Sequence, residues 1–302
     1  MRMIELSPQG LELTQIIPGM MRLDTWGMRG QALLDWIKQV MGMGLTSFDH
    51  ADIYGGYGNE ALFGDALRIE PSLRHQMQLV TKGGIQLMHP NRPDIVVNHY
   101  NTTAEHLIRS AEQSLLNLHT DYLDLYLVHR PDMLMHPSEI AEAFYQLRNS
   151  GKVRHFGVSN FTPSQFTLLE AYLDFPLVTN QVEFSVLHLD PLYDGTFDQA
   201  LLSPYAPMIW SPLAGGRLFG ATDDPQAQRV VAVLEEVARE VEARDIDSVA
   251  LAWILQHPSN PTIITGSGKI ERLQSALNAT ELTLSRQQWF RILVASLGHN
   301  VP

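Results

Sequence analysis

The chain of 302 residues contains no cysteine. This absence excludes disulfides, thiolate catalysis and cysteine-based metal sites, and it suits the reducing cytoplasm. Basic residues are also scarce: 21 Lys and Arg stand against 33 Asp and Glu, giving a formal net charge of −12 with no basic block. Nucleic acid and anionic membranes are therefore not expected partners. The sequence has no apolar run of membrane-spanning length, and its N-terminus lacks the apolar core of a signal peptide. We expect a cytoplasmic protein.

What the sequence does contain is a repeated alternation of short β-rich runs and longer amphipathic segments. Eight such units in about 260 residues predict one (β/α)8 TIM barrel domain over residues 1–302. The opening IELSPQGLELT is predicted to form a β-hairpin that caps the barrel bottom. An open doubly wound sheet is the alternative, but the first strand lacks the G-x-G-x-x-G turn of a Rossmann dinucleotide site. The predicted strands are 16–21, 46–49, 78–82, 123–129, 153–159, 178–183, 207–211 and 262–265.

Four polar residues stand where predicted strands end: Asp49, Tyr54, Lys82 and His129. Because the carboxyl ends of barrel strands share one face, these side chains are expected to converge. A free Tyr has a pKa of about 10, too high for ready proton transfer at neutral pH, and a neighbouring ammonium lowers it. Lys82 is predicted to do this, Asp49 to hold the ammonium, and His129 to orient a carbonyl oxygen. The four together predict an enzyme.

Each of these residues also has a structural explanation. Tyr54 lies in a Gly-rich loop on which it can simply pack, and Lys82 with Asp49 can form a structural salt bridge. A lone histidine such as His129 is more often a core residue. The DHAD segment with His129 also suggests a barrel metallohydrolase, but that class needs His-x-His on the first strand, which offers no ligand. We expect no metal site.

Specific motifs make the chain resemble the aldo-keto reductase family over nearly its whole length. They are GLTSFDHADIYGGYGNEALFGDAL, VTKGG, DYLDLYLVHRPD, GKVRHFGVSNFTPSQ, NQVEFS, WSPLAGGRL and ITGSGKIERL. The chain is most similar to a bacterial oxidoreductase branch that carries HADIYGGY and GSGKIER. The resemblance implies a (β/α)8 barrel and NADP(H)-dependent reduction of aldehydes or ketones. It makes Tyr54 the general acid, Lys82 and Asp49 the residues that tune it, and His129 the residue that positions the carbonyl.

The same resemblance implies a set of cofactor-binding residues. Ser159, Asn160 and Gln181 hydrogen-bond the nicotinamide carboxamide in the family, and Trp210 stands where a Tyr or Phe usually stacks on the ring. Residues 211–217 are expected near the pyrophosphate. The full set is Met21, Ser159, Asn160, Gln181, Trp210, Ser211, Pro212, Leu213, Gly216, Arg217, Gly266, Ser267, Lys269 and Arg272. The start Gly19-Met20-Met21-Arg22 replaces the commoner Gly-Thr, so a hydroxyl contact is absent there.

The segment Gly266-Ser267-Gly268-Lys269 is similar to the end of a phosphate loop, but the first glycine of that motif would fall at Ile263. It does follow a predicted strand and open a helix, which is a natural anion site. Lys269 and Arg272 lie three residues apart on one face of that helix. We expect them to hold the adenosine 2′-phosphate and favour NADP(H); two solvated cations are the alternative. Ser275-Ala276 replaces the Glu-Asn that holds the adenine in many relatives.

We therefore predict an NADPH-dependent reductase that acts on a small carbonyl compound. The sequence does not identify that compound or the oligomeric state, although a monomer is favoured. The alternative function is a nucleotide-sensing regulatory subunit that keeps the four residues but turns over poorly. The candidate substrate contacts are Trp26, Tyr57, Met88–His89, Met133–Met135 and the C-terminal segment.

Overall fold

The computed structural model describes residues 2–8, 10–220 and 223–302. The strands, in chain order, are β1 (Met3–Glu5), β2 (Glu12–Thr14), β3 (Ile16–Pro18), β4 (Ser47–Asp49), β5 (Gln78–Gly83), β6 (Ile85–Gln86), β7 (His99–Tyr100), β8 (Leu123–Val128), β9 (Val153–Ser159), β10 (Asn180–Glu183), β11 (Met208–Trp210) and β12 (Thr262–Thr265). The helices are α1 (Gly30–Gly42), α2 (Tyr54–Tyr57), α3 (Asn59–Leu67), α4 (Ala104–Asn117), α5 (Pro137–Asn149), α6 (Pro163–Glu170), α7 (Thr196–Leu202), α8 (Pro225–Glu240), α9 (Ile246–Leu255), α10 (Ile270–Ala279) and α11 (Arg286–Leu297).

Eight parallel strands form the barrel in the order β3-β12-β11-β10-β9-β8-β5-β4. The ring closes between the two ends of this series, where the Met20 N–H donates to the Asp49 carbonyl oxygen at 2.8 Å. The predicted (β/α)8 barrel is therefore confirmed, and each predicted run overlaps one barrel strand. The first strand is shorter than predicted and ends at Pro18. A second hairpin, β6 with β7, was not predicted.

The N-terminal hairpin closes the bottom of the barrel, as predicted. Ile4 of β1 pairs with Leu13 of β2, and both side chains are buried. The Thr14 N–H donates to the Ser47 hydroxyl at the start of β4, which places the hairpin at the amino ends of the strands. The hairpin side chains pack with the barrel interior, made of Ile17, Val80, Leu125, Leu127, Val178, Ala206, Met208 and Ile264. The hairpin thus covers the amino end of the barrel and leaves the carboxyl end uncovered.

The helices form an outer layer whose apolar faces pack on the strands, as where Phe144 of α5 stacks on Phe156 of β9 at 4.3 Å between ring centroids. Capping fixes several helix starts: Thr103 caps α4 by accepting a hydrogen bond from the His106 N–H, a contact typically worth about 1 kcal/mol. One helix, α8, is inserted between β11 and α9. The insertion leaves α9 to begin beside the carboxyl end of the barrel.

Candidate active site

Lys82 of β5 is the centre of a buried hydrogen-bonded group at the carboxyl end of the barrel. Its ammonium donates to Asp49 Oδ2 at 2.8 Å, to the His50 carbonyl oxygen at 2.7 Å and to the Tyr54 hydroxyl at 3.1 Å. Three oxygens thus satisfy its three N–H donors, which a fully buried ammonium requires. Burial acts to lower the pKa of Lys82, but Asp49 and Tyr54 outweigh burial, and the pKa is raised. The ammonium therefore stays charged.

Tyr54 begins the short α2 turn a few residues after β4. Gly55 and Gly56 follow it with φ of 58° and 61°, a conformation that suits glycine. A Cβ at Gly55 would overlap the Asn59 side chain, so glycine is also required there for space. Burial raises the pKa of Tyr54 by more than Lys82 lowers it. Lys82 thus acts on the pKa in the predicted direction, but burial outweighs it, and the phenol is protonated at neutral pH.

His129 follows β8 and lies beside Tyr54, with ring centroids 5.9 Å apart and ring planes at 79°. Burial holds the pKa of His129 well below its usual value, and the charges of Lys82 and Arg130 act in the same direction. A neutral imidazole carries one N–H donor and one acceptor. Its Nδ1 is buried and has no hydrogen-bond partner among the described residues. His129 is thus an uncharged hydrogen-bonding group.

Asp49, Tyr54 and His129 line a cavity of about 440 Å³ at the open end of the barrel. Most of the predicted cofactor residues line the same cleft: Met21, Ser159, Asn160, Gln181, Trp210, Ser211, Pro212, Leu213, Gly216, Gly266, Ser267 and Arg272. The structure thus brings the four residues predicted to be catalytic and most of the predicted cofactor residues to one site.

Ser159, Asn160, Gln181 and Trp210 form a hydrogen-bonded set along one wall of the cleft. The Asn160 amide donates to Ser159 Oγ at 2.7 Å and accepts from the Trp210 indole N–H at 3.1 Å. The Ser159 hydroxyl donates to the Gln181 carbonyl oxygen at 2.9 Å, and Gln181 Nε2 donates to Asp49 Oδ1 at 2.8 Å. These bonds fix the orientation of both side-chain amides and connect them to the Lys82 group.

Two of the predicted phosphate-binding cations, Arg217 and Lys269, are not among the described residues that line the cleft. Arg217 forms an ion pair with Asp224, which caps α8. Lys269 is exposed at the start of α10. Arg272, by contrast, lines the cleft, with its guanidinium 5.9 Å from the centroid of the Phe219 ring. Of the predicted pair Lys269 and Arg272, the described lining of the cleft thus includes Arg272 alone.

The predicted substrate contacts are likewise missing from the described lining of the cleft. Trp26 packs on Trp36, with ring centroids 5.0 Å apart, and the Tyr57 hydroxyl bonds to the Leu87 backbone. Lining residues that the sequence analysis missed include Ile53, Ile85, Arg130, Phe219, Asp247 and Leu251. Arg130 directly follows His129, so the strand-end pattern that identified His129 could also have identified Arg130. Asp247 and Leu251 carry no local signal, because they lie in α9 and not at the end of a predicted strand.

Two further carboxylates, Asp52 and Glu60, lie close to the Lys82 group. Asp52 Oδ2 accepts a hydrogen bond from Ser110 at 2.8 Å, whereas Oδ1 is buried without a partner among the described residues. Burial raises the pKa of Asp52 to about 7, and the neighbouring Glu60 contributes to the shift. Burial also raises the pKa of Glu60, although its carboxylate accepts from the Thr81 hydroxyl at 2.6 Å. Asp52 therefore keeps its proton at pH values where an exposed carboxyl group is ionised.

In the described ranges, no three His, Asp or Glu side chains are grouped closely enough to hold a metal ion. Nor does any helix there combine the length and apolar character needed to cross a membrane.

Comparisons with known proteins point to one family. The family model described as Aldo/keto reductase family matches residues 15–294. The chain is 50% identical over 299 residues to oxidoreductase YdhF of Escherichia coli (strain K12), covering 99% of each chain. It is 47% identical over 302 residues to the uncharacterized oxidoreductase YcsN of Bacillus subtilis (strain 168), covering 100% of each.

A third relative carries a more specific name. The chain is 39% identical over 305 residues to a 6-dehydroglucose reductase of Agrobacterium fabrum, covering 100% of each chain. Among solved structures, the thermostable aldo-keto reductase Tm1743 in complex with the inhibitor epalrestat matches with a TM-score of 0.79 at 26% identity. That match covers 98% of this chain and 100% of the other.

Proposed function

Because the chain belongs to the aldo/keto reductase family of oxidoreductases, we propose that it reduces a small aldehyde or ketone to an alcohol with NADPH, using Tyr54 as proton donor. The observation that carries this proposal is the Lys82 ammonium, which bonds to both Asp49 and the Tyr54 hydroxyl at the edge of the cleft. We also propose one domain over residues 1–302 and a cytoplasmic location, supported by the extent of the family match and by the lack of cysteine.

Reduction of a carbonyl adds a hydride to its carbon and a proton to its oxygen. Tyr54 holds that proton, because its raised pKa keeps the phenol protonated. The Lys82 charge, 3.1 Å from the hydroxyl, stabilises the phenolate that remains after the proton leaves. Neutral His129 hydrogen-bonds the carbonyl oxygen and orients it toward Tyr54. A positioned general acid typically contributes about 10² to 10⁴ in rate.

The cleft residues fit a nicotinamide dinucleotide phosphate, which supplies the hydride when bound. The side chains of Ser159 and Asn160 are polar groups suited to a carboxamide, and the Trp210 indole offers a flat apolar surface. Gly215 and Gly216 have φ of 66° and 98°, and no atom of the described residues lies within 4 Å of a Cβ at either position. Their open backbone lets a phosphate approach. Arg272 provides a cation in the same cleft.

The substrate is proposed only as a carbonyl compound. The relative from Agrobacterium fabrum is a 6-dehydroglucose reductase, so hydroxylated aldehydes belong among the compounds to test. Arg130, which lines the cleft next to His129, can donate hydrogen bonds to the oxygens of such compounds.

The test is NADPH oxidation with small aldehydes, dicarbonyls and sugar aldehydes, comparing wild type, Tyr54→Phe and Tyr57→Phe. Tyr57 is the matched control, because its hydroxyl bonds to the Leu87 backbone outside the cleft lining. We expect Tyr54→Phe to bind NADPH normally and to lose at least about 100-fold in turnover, while Tyr57→Phe keeps turnover of the wild-type order. Equal turnover in wild type and Tyr54→Phe contradicts the assigned role. A wild type that binds NADPH but reduces no carbonyl would favour the nucleotide-sensing alternative.

A further inference from the structure

One end of the cleft, across the barrel from the Lys82 group, is formed by α9, α10 and Phe219. β11 and β12, which flank α9 in the chain, lie opposite β5 and β8 in the ring. Phe219, Leu251 and Ala276 give this end apolar surface, and Arg272 and Asp247 give it charge. If the nicotinamide of the proposed cofactor lies at Tyr54, the other half of the dinucleotide lies here.

Ser275 is not among the described residues that line this end of the cleft, and Ala276 has no polar side chain. The Ser275 hydroxyl donates to Asp245 Oδ1 at 2.7 Å, and the same oxygen accepts from the Ser248 N–H at 2.8 Å to cap α9. Ser275 is nearly fully buried by these contacts, and Ala276 presents only a methyl group to the cleft. The Ala276 methyl therefore cannot recognise a polar edge of a ligand, and the Ser275 hydroxyl contacts Asp245 rather than the described part of the cleft.

Asp247 is the acidic residue that this end of the cleft presents. It lies in the first turn of α9 and is partly buried. Within the described ranges, its carboxylate forms no ion pair and accepts no hydrogen bond from another residue. Burial and the neighbouring Asp245 raise the pKa of Asp247, whereas Arg272 favours its charged form. The first turn of a helix also favours an acidic residue for structural reasons, so the test below includes readouts that a structural role does not affect.

We propose that Asp247 recognises the amino group of the adenine base, a role that rests on the proposed use of NADPH. A purine has two apolar faces, which match Phe219, Leu251 and Ala276, and an amino edge that donates hydrogen bonds. A carboxylate only accepts, so it binds an amino edge and repels a carbonyl oxygen. The acceptor for the base thus comes from α9 in this chain rather than from Ser275-Ala276 on α10.

The experiment compares the binding of NADPH with that of its hypoxanthine analogue, in which a carbonyl oxygen replaces the amino group. Dissociation constants are measured by tryptophan fluorescence or calorimetry for wild type, Asp247→Ala, Asp247→Asn and the control Glu271→Gln. Glu271 is an exposed acid next to Arg272, and it is not among the described lining residues. Its substitution therefore removes the same charge nearby without touching the cleft.

We expect wild type and Glu271→Gln to prefer NADPH over the analogue by about tenfold, the effect of one hydrogen bond to a charged group. Asp247→Ala is expected to lose the preference because it binds NADPH more weakly. Asp247→Asn loses it by binding the analogue more tightly, since an amide can donate to the carbonyl oxygen. Equal affinities in wild type, or a preference kept in both Asp247 variants, overturns the proposal while NADPH use stands. A change in the NADPH-to-NADH ratio alone also overturns it, because Asp247 would then face the 2′ position. A wild type that binds no NADPH overturns the proposed function itself.

Discussion

Gln181 donates a hydrogen bond from Nε2 to Asp49 Oδ1 at 2.8 Å, while Lys82 occupies the other oxygen of the same carboxylate. Asp49 therefore joins the proposed proton-donor group to the residues proposed to hold the nicotinamide. Because the two groups share one carboxylate, a change in either is expected to affect the other.

Gln181→Met tests this connection by removing the amide while keeping the length of the side chain. We expect weaker NADPH binding and slower turnover, because Asp49 loses a partner and the ligand loses an amide. Gln199→Met is the matched control: Gln199 is buried in α7 and bonds to Pro163 and Thr167 away from the cleft. It should lower the melting temperature and leave NADPH affinity unchanged. Unchanged affinity and turnover in Gln181→Met would contradict the connection.

Lys82→Met leaves the Asp49 carboxylate buried without its counter-charge. Breaking a buried ion pair in this way typically destabilises a protein by about 3–5 kcal/mol, so we expect a clearly lower denaturation midpoint together with loss of turnover. Lys82→Met combined with Asp49→Asn should recover most of the stability, because no unpaired charge remains, but none of the turnover. Denaturant unfolding and NADPH oxidation of both variants provide the measurement. If Lys82→Met alone were as stable as wild type, the ion pair between Lys82 and Asp49 would contribute little to stability.

Arg272→Ala and Lys269→Ala are predicted to differ, because Arg272 lines the cleft and Lys269 is not among its described lining residues. We expect Arg272→Ala to weaken the binding of NADPH by about tenfold or more. The binding of NADH should weaken much less, since only NADPH carries the 2′-phosphate. Lys269→Ala should change either dissociation constant by less than about twofold. If Arg272→Ala lost affinity equally for both cofactors, the 2′-phosphate would be held elsewhere.

Asp52 is predicted to make the folded state less stable as the pH rises. Between its usual pKa of 3.8 and the raised value of about 7, the folded chain keeps a proton that the unfolded chain has released. The unfolded state then binds fewer protons, so the free energy of unfolding decreases with rising pH across that range. Asp52→Asn should flatten the dependence and raise the melting temperature at pH 8. Melting curves from pH 5 to 8 provide the measurement, with exposed Asp121→Asn as a control that keeps the wild-type slope.

Much of the barrel was predictable, because most of its strands are short apolar runs that end at a polar residue or just before one. The strand boundaries at Leu123 and Val153 follow directly from this pattern. The β6–β7 hairpin was not predicted, because each strand has only two residues and both residues of β7 are exposed. So short a pair has no periodicity from which it can be recognised.

The site was predictable where it depends on strand ends and not where it depends on packing between elements. Lys82 and Asp49 end adjacent strands, so their contact follows from topology. The pKa of Tyr54 depends on how deeply the ring is buried, which a sequence does not specify. Arg217 stands in a loop suited to phosphate, but its pairing with Asp224 depends on how that loop folds back on α8.

The bond between the Trp210 indole and the Asn160 amide oxygen sets the orientation of that amide before any ligand arrives. The oxygen has a second lone pair, so it can accept from a ligand amide while it still holds the indole N–H. The amide nitrogen donates to Ser159 Oγ, so turning the amide over would break both bonds. A ligand that binds here therefore meets an acceptor that the fold has already ordered, and the entropy cost of immobilising the side chain does not fall on binding.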